Sequence, residues 1–202
     1  MKKLDMKLFH PRRWLRSFGL WYGTAVFRAQ CRFYHVHCTI GQTTRIRHCR
    51  VRSKIDGILV IGDGCALRGV HFGFYGKEGR IELKDHIEMN AYPDSRVSLF
   101  VNDGSSIVIE DHCLFSNTVD ISTTDWHRIL DENGNRLNPD KDVHIGRRVW
   151  VGRKVTICKG VSVPDNSVIG VGSVVTKSFP ETNVVIAGNP AEVKKRGIRW
   201  LV

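Results

Sequence analysis

The chain has 202 residues, with 31 lysines and arginines against 20 acids for a formal net charge of +11, 42% hydrophobic residues and six cysteines. That length fits a single domain, and no long linker or low-complexity run divides it. The cysteines, at positions 31, 38, 49, 65, 113 and 158, form no CxxC pair. This argues against a disulfide framework or a zinc ribbon and fits a reducing cytoplasm.

Residues 1–54 hold thirteen lysines and arginines against one acid, Asp5, a balance of +12, whereas the remainder holds eighteen against nineteen, or −1. Within residues 1–35 the run KKLDMKLFHPRRWLRSFGLWYGTAVFRAQCRFY mixes these cations with Trp14, Phe18, Trp21, Tyr22, Phe27, Phe33 and Tyr34. Such a segment suits an amphipathic cap over the open end of a repeat domain. It equally suits peripheral contact with the anionic inner face of a membrane, and the two roles are compatible. Its apolar stretch FGLWYGTAVF is too short to span a bilayer. The long charged lead-in, Arg28, Arg32 and the missing small-x-small cleavage site argue against a signal peptide. Nucleic acid is not the expected partner, because no recognition motif accompanies the charge.

From about residue 36 to 188 the chain follows a six-residue period. IDGILV and IGDGCA, with Leu67 opening the next unit, set it first. Around Ile81 and Ile87, in IELKDH and IEMNAY, the register is displaced by two, which places an insertion in HFGFYGKEG. Val97, Ile109, Phe115 and Ile121 then fall into the phase that counts back from Ile145, with Cys113 and Val119 in fifth places. After residues 125–142, DWHRILDENGNRLNPDKD, the repeat is at its most regular: IGRRVW, VGRKVT, ICKGVS, VPDNSV, IGVGSV, VTKSFP. First places are Ile145, Val151, Ile157, Val163, Ile169 and Val175, and fifth places are Val149, Val155, Val161, Ser167, Ser173 and Phe179. A helix recurs every 3.6 residues and cannot use this period, whereas short β-branched strands broken by turn residues can. The fold class predicted is an all-β solenoid of stacked coils, three hexads to a coil. Residues 125–142 become a loop thrown out of the prism, either a binding element or a bare surface excursion with Asn-Gly and Asn-Pro turns. Residues 189–202 read as a tail or short helix folded over the last coil.

The hexads, the loop segment DWHRILDENGNRLNPDKDVHIGRRVWVG and the stretches IGVGSVVTKS and AGNPAEVKK resemble the hexapeptide-repeat acyltransferase superfamily, and within it the sugar and polysaccharide O-acetyltransferases. The likeness covers about residues 55–195. It implies a left-handed parallel β-helix, a hand that the general preference for right-handed crossovers would not supply. It also implies a homotrimer with sites between subunits and transfer of an acetyl group from acetyl-CoA to a sugar or glycan hydroxyl.

On this resemblance His127 matches the catalytic histidine, and histidine suits a general base working near neutral pH. Asp125 would orient it or bind the acceptor, unless it is simply a turn aspartate. Trp126 could stack on a sugar, and Asn117 is the other acceptor-binding candidate. Trp150 matches the tryptophan lining the acetyl-CoA cleft, and its exposed hexad place also fits a subunit interface. Gly170, Val171, Gly172 and Ser173 match a small-residue strip along the pantetheine arm, with Thr176 and Lys177 beyond it. Asn189 and Pro190 match the terminal turn, and Lys177 and Lys195 are candidates for the coenzyme phosphates. The family often has Ser or Ala where Arg153 and Val171 stand here. No metal is expected, because His86, His112 and His144 fall in different coils without ligand spacing. Other readings are an acetyltransferase for a small non-glycan acceptor and a non-catalytic scaffold in a glycan-assembly complex.

Overall fold

The computed structural model describes residues 23–92 and 94–201; the expectations for residues 1–22, membrane contact included, lie outside the described residues. A helix over residues 23–33 leads into six coils of three short strands. The coils are β1 (Val36–Ile40), β2 (Arg45–Arg47), β3 (Arg50–Ser53); β4 (Gly57–Ile61), β5 (Ala66–Arg68), β6 (Val70–Tyr75); β7 (Arg80–Leu83), β8 (Glu88–Asn90), β9 (Val97–Asn102); β10 (Ser106–Ile109), β11 (Leu114–Phe115), β12 (Val119–Ser122); β13 (Val143–Ile145), β14 (Trp150–Val151), β15 (Thr156–Ile157); and β16 (Ser162–Val163), β17 (Val168–Ile169), β18 (Val174–Val175). β19 (Val184–Gly188) and β20 (Ala191–Arg196) finish the chain. Equivalent strands stack in parallel into three sheets: sheet A from β1 to β16, sheet B from β2 to β17 extended by β19 and β20, and sheet C from β3 to β18.

Stacking lines up the first-place residues inside the prism, in three columns. On sheet A, Ile40, Ile61, Leu83, Ile109, Ile145 and Val163 are successive partners. Sheet B carries Ile46, Leu67, Met89, Phe115, Val151, Ile169 and Ile186. Sheet C carries Val51, Phe72, Leu99, Ile121, Ile157 and Val175. All six first-place residues from Ile145 to Val175 are 0% exposed. The fifth-place serines are buried too, and their hydroxyls donate to backbone carbonyls, Ser167 to Asp165 and Ser173 to Gly170; an unmade bond there would be costly.

The insertion expected in HFGFYGKEG is present, between β6 and β7, but Ile81 and Ile87 are not the first-place residues. Ile81 lies between Leu59 and Ile107, in the fifth-place column, and the first place is Leu83; Met89, not Ile87, partners Leu67. Val97 likewise partners Val119, and Leu99 takes the first place. Both columns hold large apolar residues, so the period alone does not say which is which. The extra residues collect at the corners: where sheet C hands over to sheet A, after β3, β6, β9 and, longest, β12, and where sheet B hands over to sheet C after β8.

The described helix covers the first coil. Phe27 packs edge-on against Phe72 at 5.7 Å, and Gly23 sits so close to the Ile46 carbonyl that a Cβ would lie 2.4 Å from it. The other end corrects the expected tail: β20 is a strand, antiparallel to β19, with a register shift at Val185/Ile186. No helix among the described residues is long and apolar enough to cross a membrane.

Ile145 is fully buried between Ile109 and Val163, so Ile145→Ala should cost about 2–5 kcal/mol in urea unfolding. The same truncation at exposed Val171 should change stability by less than about 0.5 kcal/mol.

Candidate active site

The long loop leaves β12 at the edge between sheets C and A and opens with a tight reversal. His127 N–H donates to the Asp125 carbonyl at 2.8 Å, and the intervening Trp126 has φ of 67°. A three-residue turn with positive φ at a tryptophan is rare and strained. Several contacts hold it in place. Trp126 N–H donates to Thr124 Oγ1 at 3.1 Å. The indole packs against Tyr75 at 5.1 Å and Phe100 at 5.5 Å, rings that belong to the two preceding coils. Gly73 makes room for that pair, since a Cβ there would lie 2.4 Å from Phe100 and 2.8 Å from Tyr75.

Asn138 closes the loop from its other limb. It is only 9% exposed. Its Nδ2 donates to Asp125 Oδ2 and to the His127 carbonyl, each at 2.9 Å, while its Oδ1 accepts from Ile129 N–H at 2.7 Å. Lys159, on the turn after β15, reaches up with Nζ 2.5 Å from Asp125 Oδ2 and 3.0 Å from the Asn138 carbonyl. The Lys159 ammonium, then Asn138, holds the Asp125 carboxyl below the usual carboxylate range. Arg136 ties the loop to Asp140 at 2.8 Å, and Asn102 Nδ2 donates to Asp140 Oδ2 at 2.7 Å. Of the readings offered for Asp125, the contacts here are those of a turn aspartate: its carboxylate is engaged by Asn138 and Lys159, not by the His127 ring. That ring is exposed and has no hydrogen-bond partner among the described residues.

The remaining predicted residues lie elsewhere. Asn117 sits on the turn between β11 and β12, at the edge joining sheets B and C. Its carbonyl accepts from Lys154 N–H at 3.2 Å, and one coil on Arg153 accepts from Gly172 N–H at 2.9 Å. Asn117, Arg153 and Gly172 thus stack on one edge, away from the Trp126 loop. Val171 and Gly172 are exposed there, and a Cβ on Gly172 would meet nothing within 4 Å. Ser173 is fully buried, as its fifth place predicts; its hydroxyl donates to the Gly170 carbonyl and accepts from Gly188 N–H at 3.2 Å, fixing the backbone of the strip from inside. Asn189 and Pro190 form the exposed β19–β20 tip, joined by a cis peptide bond. Thr176, Lys177 and Lys195 are exposed; Lys177 Nζ lies 5.9 Å from the Phe179 ring centre, and Lys194 pairs with Glu192 at 3.1 Å.

Trp150 stands on the outer face of sheet B, 38% exposed, and has a partner not anticipated from sequence. Trp200 packs on it at 6.2 Å and donates from Nε1 to the Arg148 carbonyl at 2.8 Å. The only hint in the sequence was a lone tryptophan beyond a basic run. Among the described residues no cluster of three or more His, Cys, Asp or Glu could hold a metal. His86 stacks on His112 at 4.9 Å, and His144 lies 3.4 Å from Glu110. All six cysteines are free, and burial pushes Cys49 up to about 11 and Cys113 to about 12.

No family model matches the chain. It is 40% identical over 110 residues to the galactoside O-acetyltransferase of Escherichia coli K12, covering 54% of this chain and 52% of that one. The solved polysialic acid O-acetyltransferase OatWY superposes with a TM-score of 0.61 at 31% identity, covering 83% of this chain and 88% of its own. The chain belongs to the hexapeptide-repeat acyltransferases. Its coils are those of the left-handed parallel β-helix. An N-acyltransferase of Bacillus cereus, solved with coenzyme A, shares the fold at 12% identity and a TM-score of 0.59, covering 85% of this chain and 90% of its own. The chain spans about half the length of the curated relatives it matches.

Asn138→Ala should release the loop while sparing the prism. In hydrogen exchange the Ile129 amide should lose protection and the Val163 amide should not. Because the Asp125 carboxyl titrates below its unfolded value, near 3.9, its clamp contributes above that range and is lost as pH falls through the depressed value. Trp126 emission should change over that acid range, and Asp125→Asn should abolish the transition.

Proposed function

We propose that the chain is an O-acetyltransferase moving an acetyl group from acetyl-CoA to a hydroxyl of a sugar in a glycan precursor or polysaccharide, with His127 as general base. The observation that carries this is the strained turn at Trp126, locked by Asn138, Lys159 and the Tyr75–Phe100 pair, which holds out from the scaffold an exposed imidazole with no hydrogen-bond partner among the described residues. Strain persists where surrounding structure over-determines it, and such places concentrate at functional sites. The names of the relatives, galactoside and polysialic acid O-acetyltransferases, support the acceptor class.

The residues present fit coenzyme A. The open Gly172 edge offers a flat approach for a pantetheine arm, and Lys177 and Lys195 offer exposed ammonium groups for phosphates. Acetyl-CoA supplies the thioester-activated acetyl group. His127 takes the proton from the attacking hydroxyl, and Asn138 keeps its main chain in place. Trp150, with Trp200 against it, forms an aromatic wall beside the strip.

Within one chain the histidine loop lies on the edge between sheets C and A, while the Val171–Gly172 strip and Asn117 lie on the edge between sheets B and C, with Lys195 on β20 of sheet B and Lys177 just after β18. Each subunit thus carries two half-sites, and a homotrimer would bring one subunit's loop to its neighbour's strip. Six free cysteines suit a reducing cytoplasm.

His127→Ala should lower transfer by roughly 10² to 10⁴ and leave calorimetric acetyl-CoA binding unchanged. Lys177→Ala with Lys195→Ala should weaken that binding and spare the fold. Transfer by His127→Ala within tenfold of wild type would sink the general-base assignment. No acetyl-CoA binding by folded protein would favour a non-catalytic scaffold.

A further inference from the structure

The outer face of sheet C concentrates charge that no part of the proposed chemistry uses. Arg50 stands beside His71 and Arg52 beside Gly73 in the β3–β6 pairing, and Arg96 lies just ahead of β9. All three arginines are exposed, and none has a side-chain hydrogen bond or ion pair among the described residues. Sheet A differs, since Glu82 pairs there with both Arg80 and Lys84. Burial, and then Arg96, Arg52 and Arg50 in turn, lowers the pKa of His71, as a local concentration of positive charge would.

Aromatic rings continue this face toward the loop. His71 packs edge-on against Phe100 at 5.3 Å, and Phe100 against Tyr75 at 6.3 Å and Trp126 at 5.5 Å. Trp126 is 51% exposed at the end of the row, next to His127. Arg47 and Arg68 also stand side by side, on sheet B, but away from the loop and without a ring contact among the described residues. From β3 to β12 the row crosses three strand spacings of about 4.8 Å, on the order of 14 Å. That is room for several linked sugars, more than one monosaccharide needs.

We propose that this face is an extended acceptor subsite for an anionic polysaccharide, with Arg50, Arg52 and Arg96 pairing with its acidic groups and the Phe100–Trp126 end receiving the sugar to be modified. Arginine suits carboxylate recognition through its planar fork of donors, and aromatic faces suit the apolar faces of sugars. The proposal rests on the O-acetyltransferase reading for the role of the bound polymer, but binding itself can be tested without catalysis. A flat sheet face beside the histidine favours a polymer over a lipid surface.

The test compares full-length wild type with the triple variant Arg50→Gln, Arg52→Gln, Arg96→Gln. The probes are polygalacturonate, polysialic acid, carboxyl-reduced polygalacturonate and phosphatidylglycerol vesicles, each at low and high salt. Wild type should bind at least one acidic polymer and not the reduced one. The variant should bind that polymer roughly tenfold more weakly, the combined worth of three exposed ion pairs, with salt erasing the difference. Acetyl-CoA binding should be unchanged. In transfer assays KM for the polymer should rise, with kcat on a small neutral galactoside unchanged. Equal binding of the reduced polymer, no binding of either acidic polymer, loss of vesicle binding alone, or an altered oligomeric state of the variant would each overturn the proposal. Polymer binding without acetyl transfer by wild type would instead refute the O-acetyltransferase reading and leave the anionic-polymer surface standing.

Discussion

Everything in this molecule depends on one constraint, the parallel stacking of short strands at a fixed spacing with alternate, apolar side chains turned inward. Each coil buries its inner residues only against the coils above and below. The backbone of one coil is the hydrogen-bond partner of the next, and the inner columns from Ile40 to Val163, Ile46 to Ile186 and Val51 to Val175 are the result. The outer surface then becomes a regular grid, and variation is confined to the corners. That is why eighteen residues can be inserted after β12 without disturbing the partnership of Ile109 with Ile145.

The loop converts this rigidity into position. Its fixings come from three coils and from the loop itself: Tyr75, Phe100 and Asn102 from the preceding coils, Lys159 from the following one, and Asn138 from the returning limb. A surface excursion of this length would ordinarily be mobile. Here a nearly buried amide and an ion pair grip the turn on which the histidine stands, and the strain at Trp126 is sustained by contacts that each strengthen the others.

Much of the fold could be read directly. From Ile145 to Phe179 every hexad place predicted to be inside is inside, because no corner there carries an extra residue. Reading failed where two columns share a chemistry: Ile81, Ile87 and Val97 are as apolar as Leu83, Met89 and Leu99, and only the strand partners tell them apart. The C-terminal strand was missed because Ala191–Arg196 is mostly charged and pairs antiparallel, outside the period. At the site, the position of His127 was legible, but its supports were not. Asn138 and Lys159 meet Asp125 only through the fold, and the partners of Trp126 come from coils read as core and corner. The assignment of Asp125 to the imidazole failed for the same reason: Lys159, from the turn after β15, claims that carboxylate.

A solenoid built this way has an inherent hazard, since its last coil offers a parallel edge on which another copy could continue the stack. The β19–β20 hairpin ends that possibility on sheet B. It reverses the direction of the outermost strand, and it presents Glu192, Lys194, Lys195 and Arg196 along it. Charge on an outermost strand is a known defence against edge-to-edge aggregation. Lys195, proposed above as a phosphate ligand, stands on this strand, so its removal bears on solubility as well as on ligand affinity.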